Sequence, residues 1–210
     1  VGLTLSAVLS EVGFKVIGYD TNSETVNNLR RRRVPFYEKG LKKYLYQNLN
    51  NQIFFVNKLK KNKSSIYVIA VGTPVTPKKK PNLNNIKKAA IEVGKNIEKN
   101  DLIILRSTIP VEATRKVIIP IIEKYSKKKC GKDFSVSFAP ERTVEGNAMY
   151  ELKTLPQVVG GYSPQCVKHA VEFWSTLTPT VVRVETLEAA EMVKLANNTF
   201  RDVSFAFANE

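Results

Sequence analysis

A glycine, a helical segment, a short apolar strand and an acidic residue follow one another at the start of the sequence. Gly2 precedes the helical pattern, and Asp20 ends the apolar run at residues 15–19. The N–H groups at a helix N-terminus attract phosphate, and a glycine there lets helix and strand pack closely. An acid at the end of the second strand binds ribose hydroxyls and disfavours a 2′-phosphate. The order predicts a dinucleotide site for NAD rather than NADP, with ordinary turn residues as the alternative for Gly2 and Asp20.

Lys194 and Asn198 are suited to stabilising negative charge on an oxygen atom. They lie four residues apart in a long helical pattern, so they share one helix face. A developing alkoxide needs a cation and an amide donor, and this pair provides both. The alternative for Lys194 is a solvated lysine on a helix surface.

The elements that must position these residues alternate along the whole chain. Helices are predicted at 2–11, 23–32, 40–49, 83–97, 111–125, 163–176 and 186–209. Strands are predicted at 15–19, 66–71, 102–105, 134–138, 158–159 and 180–184, with a turn at Gly160-Gly161. This alternation is typical of βαβ units, and strands that are apolar throughout indicate burial on both faces. We therefore expect an α/β fold: a Rossmann-like doubly wound parallel sheet over residues 1–185, followed by the start of a long central helix at 186–210.

Composition narrows the functional classes. The 210 residues carry a formal net charge of +14, spread over short basic runs at 30–33, 58–63, 78–80 and 127–129. These runs lie beside turn-forming residues, which favours solvated loops over a nucleic-acid surface. No apolar run approaches the roughly 20 residues that cross a bilayer, and no signal peptide is visible. We expect a cytoplasmic protein with no membrane or nucleic-acid partner.

The two cysteines, Cys130 and Cys166, stand in unrelated contexts. They predict neither a disulfide framework nor a metal site. Cys130 lies in a basic loop, where a lowered pKa is conceivable, and Cys166 lies in the first turn of a helix, where a structural role is expected.

A series of short motifs runs through the chain in a fixed order, with sensible spacing between them. They read VGL at 1–3, GYD at 18–20, PFYEKGL at 35–41, VGTP at 71–74, STIP at 107–110, APERTVEG at 139–146, KLANNTFRD at 194–202 and AFANE at 206–210.

Taken together, these motifs resemble the UDP-glucose/UDP-N-acetyl-D-mannosamine 6-dehydrogenase family over essentially the whole chain. The resemblance implies oxidation of a UDP-sugar C6 alcohol to a carboxylate by two NAD⁺, with a cysteine thioester that is hydrolysed. Arg142, in the sequence Pro-Glu-Arg, resembles the N-acetylhexosamine enzymes, since UDP-glucose enzymes typically read Pro-Glu-Phe-Leu there. UDP-N-acetyl-D-mannosamine is therefore the favoured substrate, with UDP-N-acetylglucosamine or UDP-glucose as alternatives.

The resemblance also implies individual residue roles. Lys194 would stabilise oxyanionic intermediates with help from Asn198, while Glu145 would act on the hydrolytic water. The implied catalytic residues are Lys194, Asn198, Glu145 and Thr108. The implied NAD contacts are Val1, Gly2, Asp20, Thr73 and Thr108. The implied substrate contacts are Glu141, Arg142, Thr143, Lys194, Asn198 and Arg201. Arg106 departs from the family, where Glu or Lys is usual, and a surface ion pair is the alternative for Glu141 and Arg142.

Both ends of the chain look cut, because Val1 lies inside an apolar run and Glu210 ends a helical pattern. We expect a truncated enzyme whose catalytic cysteine lies further on, and no turnover by this chain alone. The family dimerises through its central helix, which implies a homo-oligomer of the full-length enzyme. Two other classes remain open: a non-catalytic nucleotide-binding module, and a basic nucleic-acid-binding protein.

Overall fold

The computed structural model describes residues 1–59 and 65–210, which divide into two compact units. Unit 1 comprises Val1–Asn62, Thr143–Pro156 and Phe173–Thr180, and unit 2 comprises Lys63–Arg142, Gln157–Glu172 and Val181–Glu210. Most of the basic run at 58–63 lies outside the described residues. Each unit is therefore assembled from three separate stretches of sequence.

Helices and strands alternate through the described chain, as the sequence predicts. In chain order the elements are α1 (Gly2–Glu11), β1 (Val16–Tyr19), α2 (Ser23–Arg30), α3 (Leu41–Asn48), β2 (Ile53–Val56), β3 (Ile66–Ile69), α4 (Asn84–Asn96), β4 (Leu102–Leu105), a π-helical turn (Thr114–Ile118), α5 (Ile119–Ser126), β5 (Ser135–Phe138), α6 (Ala148–Thr154), β6 (Gln157–Gly161), α7 (Pro164–Trp174), β7 (Val181–Arg183) and α8 (Leu187–Asn209).

Unit 1 is built on a parallel pair of strands, β1 and β2, with Val16 opposite Ile53. Helix α2 begins where the Asn22 side chain accepts the backbone N–H groups of Glu24 and Thr25, as an N-cap should. Helices α3 and α6 pack against α1, which adds the segment Thr143–Pro156 to this unit.

The close approach expected at Gly2 occurs instead at Gly18, so that part of the sequence interpretation is wrong. No described atom lies within 4 Å of a Cβ added to Gly2, because this residue begins the open first turn of α1. A Cβ added to Gly18 would lie 2.7 Å from Cδ1 of Phe55 on the neighbouring strand. Glycine is therefore required sterically within β1.

Unit 2 contains a five-stranded sheet in the order β3-β4-β5-β6-β7. Its centre is apolar, and Ile103, Leu105 and Phe138 are fully buried. Helix α8 contributes Leu187 and Ala190 to the same core. The first turn of the long helix is thus fixed to the sheet of unit 2.

The expected parallel arrangement holds for β3-β4-β5 and for β6-β7, whereas β5 and β6 are antiparallel. A parallel neighbour needs a crossover connection that covers the sheet. Here the helix between the two strands, α6, packs against α1 in unit 1. The chain therefore enters β6 in the opposite direction, and the sheet is mixed.

Three local expectations need correction. Strand β2 and helix α6 were not expected, since each is a short element in a polar context. Gly160 and Gly161 form the end of β6 rather than a turn. A Cβ on Gly160 would lie 2.1 Å from the Thr186 carbonyl oxygen, and one on Gly161 would lie 2.7 Å from Val167. The glycines let the starts of α7 and α8 lie directly on the strand.

Within residues 1–59 and 65–210, none of the helices combines the length and apolar character that a membrane span requires. The same residues contain no group of three or more His, Cys, Asp or Glu side chains arranged to hold a metal ion.

Candidate functional site

The N-terminus of α1 in unit 1 leaves room for a phosphate group. The Val1 carbonyl accepts the Leu5 N–H at 3.1 Å and the Thr4 hydroxyl at 2.9 Å, so the helix starts at Gly2. The space above Gly2 is open in the described chain. Backbone N–H groups at such a helix end are the usual partners of a pyrophosphate.

Asp20 lies at the exposed carboxyl end of β1, in the same unit. Its N–H donates to the Val56 carbonyl at 3.1 Å, and its carboxylate accepts the Asn22 N–H at 2.8 Å. The side chain is thereby fixed at the strand end while it stays exposed. An exposed carboxylate in this place can accept the hydroxyls of a ribose. The residues that unit 1 presents thus fit the dinucleotide that the sequence predicts.

Thr73 and Thr108 meet in unit 2, beyond the carboxyl ends of the neighbouring strands β3 and β4. The Thr73 hydroxyl donates to the Thr108 carbonyl. The Ser107 hydroxyl donates to the Val71 carbonyl at 2.7 Å and joins the same two loops. Ligands of open α/β sheets bind at this edge, so both threonines lie at a position suited to the NAD contact that the sequence predicts.

A buried ion pair lies directly beside these loops. Arg106, the residue after β4, donates from Nη2 to Oε2 of Glu141 at 2.7 Å and from Nη1 to Oε1 of Gln157 at 3.1 Å. All three side chains are buried. Burial lowers the pKa of Arg106, and Glu141 acts against that effect. The proposed surface pair between Glu141 and Arg142 is wrong, since the acid is buried and its carboxylate binds Arg106 and the Arg142 main-chain N–H.

Lys194 lies next to this pair rather than in solvent. Its side chain is half-buried, and Nζ donates to the main-chain carbonyl of Glu141. Burial lowers the pKa of Lys194, Glu141 opposes the effect, and the nearby charges of Arg201, Arg106 and Arg142 lower it further. The alternative of a solvated surface lysine is therefore wrong. Asn198 is half-buried one helical turn further along α8.

Two glutamates that the sequence interpretation missed hold α8 to the segment that follows Thr108. Glu191 is fully buried, and its carboxylate accepts the N–H groups of Glu112 at 2.6 Å and Thr114 at 2.8 Å. Glu188 binds Arg115 through two hydrogen bonds of 2.6 and 3.2 Å. The sequence did offer one signal for them, because two acidic residues in the first turns of a long helix with many apolar residues indicate partners for those acids.

The Glu112 backbone explains why Glu191 is needed. Glu112 adopts a left-handed conformation with φ +71°, immediately before a π-helical turn at Thr114–Ile118. Such conformations cost energy and persist only when neighbouring groups hold them. Glu191 supplies the acceptors, and it lies one turn before Lys194 on α8. Thr108 and Lys194 thus lie on segments that are joined by charge-assisted hydrogen bonds.

The remaining expected site residues are more exposed than Glu141. Arg142 is exposed in unit 2, and Arg201 is exposed with its Nε 3.7 Å from the Asp202 carboxylate. Thr143 and Glu145 belong to unit 1, where the first is half-buried and the second is exposed. The roles given to these four residues stay predictions.

The two cysteines are neighbours in unit 2, which corrects the expectation of unrelated contexts. Both side chains are buried. The neighbouring Cys166 thiol and burial raise the pKa of Cys130, contrary to the lowered value considered for a basic loop. The neighbouring Cys130 thiol and hydrogen bonds from Ser163, Val136 and Ser135 lower the pKa of Cys166 to about 5, against the effect of burial.

Comparison with known proteins gives consistent results. Residues 1–178 match the NAD-binding domain of the UDP-glucose/GDP-mannose dehydrogenase family. The UDP-N-acetyl-D-mannosamine dehydrogenase of Methanococcus aeolicus is 32% identical over the whole chain, which covers 47% of that protein. The chain spans about half the length of the curated relatives it matches.

Solved structures show the same likeness. The UDP-D-ManNAc dehydrogenase of Pyrococcus horikoshii is 28% identical with a TM-score of 0.93, over 99% of this chain and 50% of that one. A ternary complex of GDP-mannose dehydrogenase from Pseudomonas aeruginosa is 29% identical with a TM-score of 0.91, over 100% of this chain and 49% of that one. The expected α/β, Rossmann-like fold is confirmed.

Proposed function

The chain belongs to the UDP-glucose/GDP-mannose dehydrogenase family, and from that membership we propose that it is the NAD-binding part of a nucleotide-sugar 6-dehydrogenase. The proposed reaction is NAD-dependent oxidation of the C6 hydroxyl of UDP-N-acetyl-D-mannosamine to the uronate. Relatives that bear this activity in their names match the chain over its entire length. The observation that carries the proposal is the half-buried Lys194 against Glu141, on a helix anchored to the segment after Thr108.

The proposed cofactor residues fall into two groups. Val1 and Gly2 would hold the pyrophosphate at the start of α1, and the carboxylate of Asp20 would accept the ribose hydroxyls. Thr73 and Thr108 would contribute from the strand ends of unit 2. When bound, NAD⁺ supplies a hydride acceptor for the alcohol and then for the aldehyde. The open space at Gly2 and the exposed carboxylate of Asp20 support this assignment.

The proposed catalytic residues act on charge and protons. Lys194 would donate to the oxygen that becomes negative during oxidation, and Asn198 would add an amide donor from the same helix face. The lowered pKa of Lys194 supports such a role, because an amine with a reduced pKa also exchanges its proton more readily. Thr108 belongs to the proposed catalytic set, and Glu145 would activate the water that hydrolyses an acyl intermediate.

The proposed substrate contacts combine acidic, basic and polar side chains. They are Glu141, Arg142, Thr143, Lys194, Asn198 and Arg201. Three of these residues carry a positive charge, which suits a ligand with a diphosphate. The Pro-Glu-Arg sequence that contains Arg142 supports an N-acetylhexosamine over glucose. UDP-N-acetylglucosamine and UDP-glucose are the competing substrates to test.

We further propose that residues 1–185 form the NAD-binding domain and that residues 186–210 start a central helix through which two copies dimerise in the cytoplasm. Large apolar side chains exposed along α8 support an association surface. These are Met192, Phe200, Val203, Phe205 and Phe207.

Binding of NAD⁺ to this chain, followed by calorimetry, tests the cofactor assignment. We expect saturable binding that is tighter for NAD⁺ than for NADP⁺. The variant Asp20→Asn should weaken NAD⁺ binding by about tenfold, since it removes a charged acceptor worth roughly 1.5 kcal/mol. Asp202→Asn, which alters an exposed acid on α8, is the control. Equal affinity for both cofactors in the unaltered chain would contradict the assignment of Asp20.

Substrate choice is tested by NADH formation in the protein that carries this chain, with the three UDP-sugars compared at equal concentration. The highest kcat/KM should be that for UDP-N-acetyl-D-mannosamine. A preference for UDP-glucose would overturn the assignment from Pro-Glu-Arg, while the family and cofactor conclusions would stand.

A further inference from the structure

Arg106 has no role in the function proposed above, although it is among the largest fully buried side chains of the described chain. Burying a guanidinium is costly unless its charge is matched and its donors are bonded. Glu141 matches the charge of Arg106 at 2.7 Å through Nη2, and Gln157 accepts a second hydrogen bond from Nη1 at 3.1 Å. A buried ion pair beside a proposed catalytic lysine calls for a functional account.

Glu141 accepts hydrogen bonds from three basic residues through three different oxygen atoms. Its carboxylate Oε2 binds Arg106, its Oε1 accepts the Arg142 N–H at 2.9 Å, and its main-chain carbonyl accepts Lys194 Nζ. The hydrogen bond of Lys194 is thus made to a neutral carbonyl. An ammonium held by a neutral carbonyl can turn to a ligand oxyanion at lower cost than one held by a carboxylate.

Removing Arg106 would leave the Glu141 carboxylate buried without the charge that now neutralises it. A buried carboxylate in that state attracts the nearest cation. Lys194 on α8 is the candidate, because it already contacts the Glu141 main chain and its pKa responds to the Glu141 charge. The lysine would then form an ion pair with the acid.

We propose that Arg106 is a positioning residue that occupies the Glu141 carboxylate and so keeps Lys194 available for the negatively charged oxygen of the substrate. The inference rests on the proposed function of Lys194, and Arg106 acts through Glu141 without touching the substrate. A lysine at this position should retain the positive charge that neutralises Glu141. Because it is shorter and lacks the guanidinium fork, it should not bind Glu141 and Gln157 at the same time.

The test measures how readily Lys194 reacts with trace acetic anhydride as the pH is varied. Peptide mass spectrometry gives the extent of acetylation at Lys194 alone. The full chain is used as unaltered protein, Arg106→Met and Arg106→Lys. Arg115→Met is the matched control, because Arg115 likewise pairs with a glutamate, Glu188 on α8, yet is partly exposed. Circular dichroism and thermal unfolding establish that each variant is folded.

In folded Arg106→Met the titration midpoint of Lys194 should move upward, and at a fixed pH below that midpoint its labelling should fall. Arg106→Lys and Arg115→Met should keep the midpoint of the unaltered chain. An unchanged midpoint in Arg106→Met, or an equal shift in Arg115→Met, overturns the proposal.

If Arg106→Met does not fold, the double variant Arg106→Met/Glu141→Gln decides the question. It removes the buried charge together with its partner, so it should fold and return the Lys194 midpoint towards that of the unaltered chain. A Lys194 midpoint in the double variant that lies above that of the unaltered chain contradicts the proposal. The labelling of Lys194 does not depend on turnover. Absence of dehydrogenase activity would therefore refute the proposed function, whereas the labelling midpoints alone decide whether Arg106 positions Lys194.

Discussion

Replacing Glu191 with alanine should destabilise unit 2 more than the loss of an exposed glutamate would. The change removes the acceptors of two backbone N–H groups, those of Glu112 and Thr114. Thr114 is fully buried, so its N–H loses a charged partner and gains no water. An orphaned buried donor costs about 1–3 kcal/mol, and loss of the more exposed bond at Glu112 adds about 1 kcal/mol. The expected loss in free energy of unfolding is therefore about 2–4 kcal/mol.

The assay combines denaturant unfolding with hydrogen exchange of the Thr114 amide. In Glu191→Ala that amide should lose protection selectively. Glu188→Gln is the matched control on the same helix, since its ion pair with Arg115 is partly exposed and pairs of that kind contribute about 0.2–1 kcal/mol. A loss in Glu191→Ala no larger than that of the control, with Thr114 still protected, would refute the reasoning.

The same side chain predicts a pH dependence. Burial raises the pKa of Glu191 above its ordinary value of 4.5, against the opposing hydrogen bonds from Thr114 and Glu112. The folded protein therefore holds this proton more tightly than the unfolded chain. The associated stability is fully present below pH 4.5 and is lost as the pH rises through the folded-state pKa. As the pH rises through that pKa, the melting temperature of unaltered protein should therefore fall relative to that of Glu191→Gln. Melting temperatures of the two proteins that change in parallel with pH would contradict the raised pKa.

Two further changes test packing and thiol chemistry. Gly160→Ala brings a Cβ to 2.1 Å from the Thr186 carbonyl oxygen, so it should cost about 3 kcal/mol or more in thermal unfolding, whereas Gly2→Ala meets open space and should change stability by less than about 1 kcal/mol. Equal effects of the two alanines would contradict the packing of α8 on β6. Cys166 has a folded pKa of about 5 against an ordinary value of 9.0, so unaltered protein should gain stability over Cys166→Ser as the pH rises from 5 to 9. A flat difference in melting temperature across this range would show that the thiolate is not stabilised by Cys130.

The parts of the fold that sequence reasoning could predict are those with local patterns. The bounds of α1 and β4 match their expected ranges, because apolar periodicity and a buried apolar run are read within ten residues. The shared helix face of Lys194 and Asn198 follows from the same periodicity. Strand β2, four residues flanked by asparagines and lysines, carries too little pattern to be recognised.

The parts that could not be predicted depend on residues far apart in sequence. Arg106 pairs with Glu141 and Gln157, which are 35 and 51 residues away along the chain. The contact between Cys130 and Cys166 and the antiparallel entry of β6 also depend on tertiary packing. Motif order predicted the candidate site residues, but their charge partners and the direction of β6 could be read only from the fold.

The division of unit 1 into three stretches has a consequence for the order in which the molecule folds. Helix α1 is synthesised before its partner α6, which ends at Thr154, and the Glu38 carboxylate accepts the Gly146 N–H, which lies 108 residues further along the chain. The parallel strands β3, β4 and β5 lie within one uninterrupted stretch and need no such delay. Contacts between distant residues form slowly. On the ribosome, strands β3, β4 and β5 should therefore assemble before α1 packs against α6, and α1 should become resistant to a protease later than these strands.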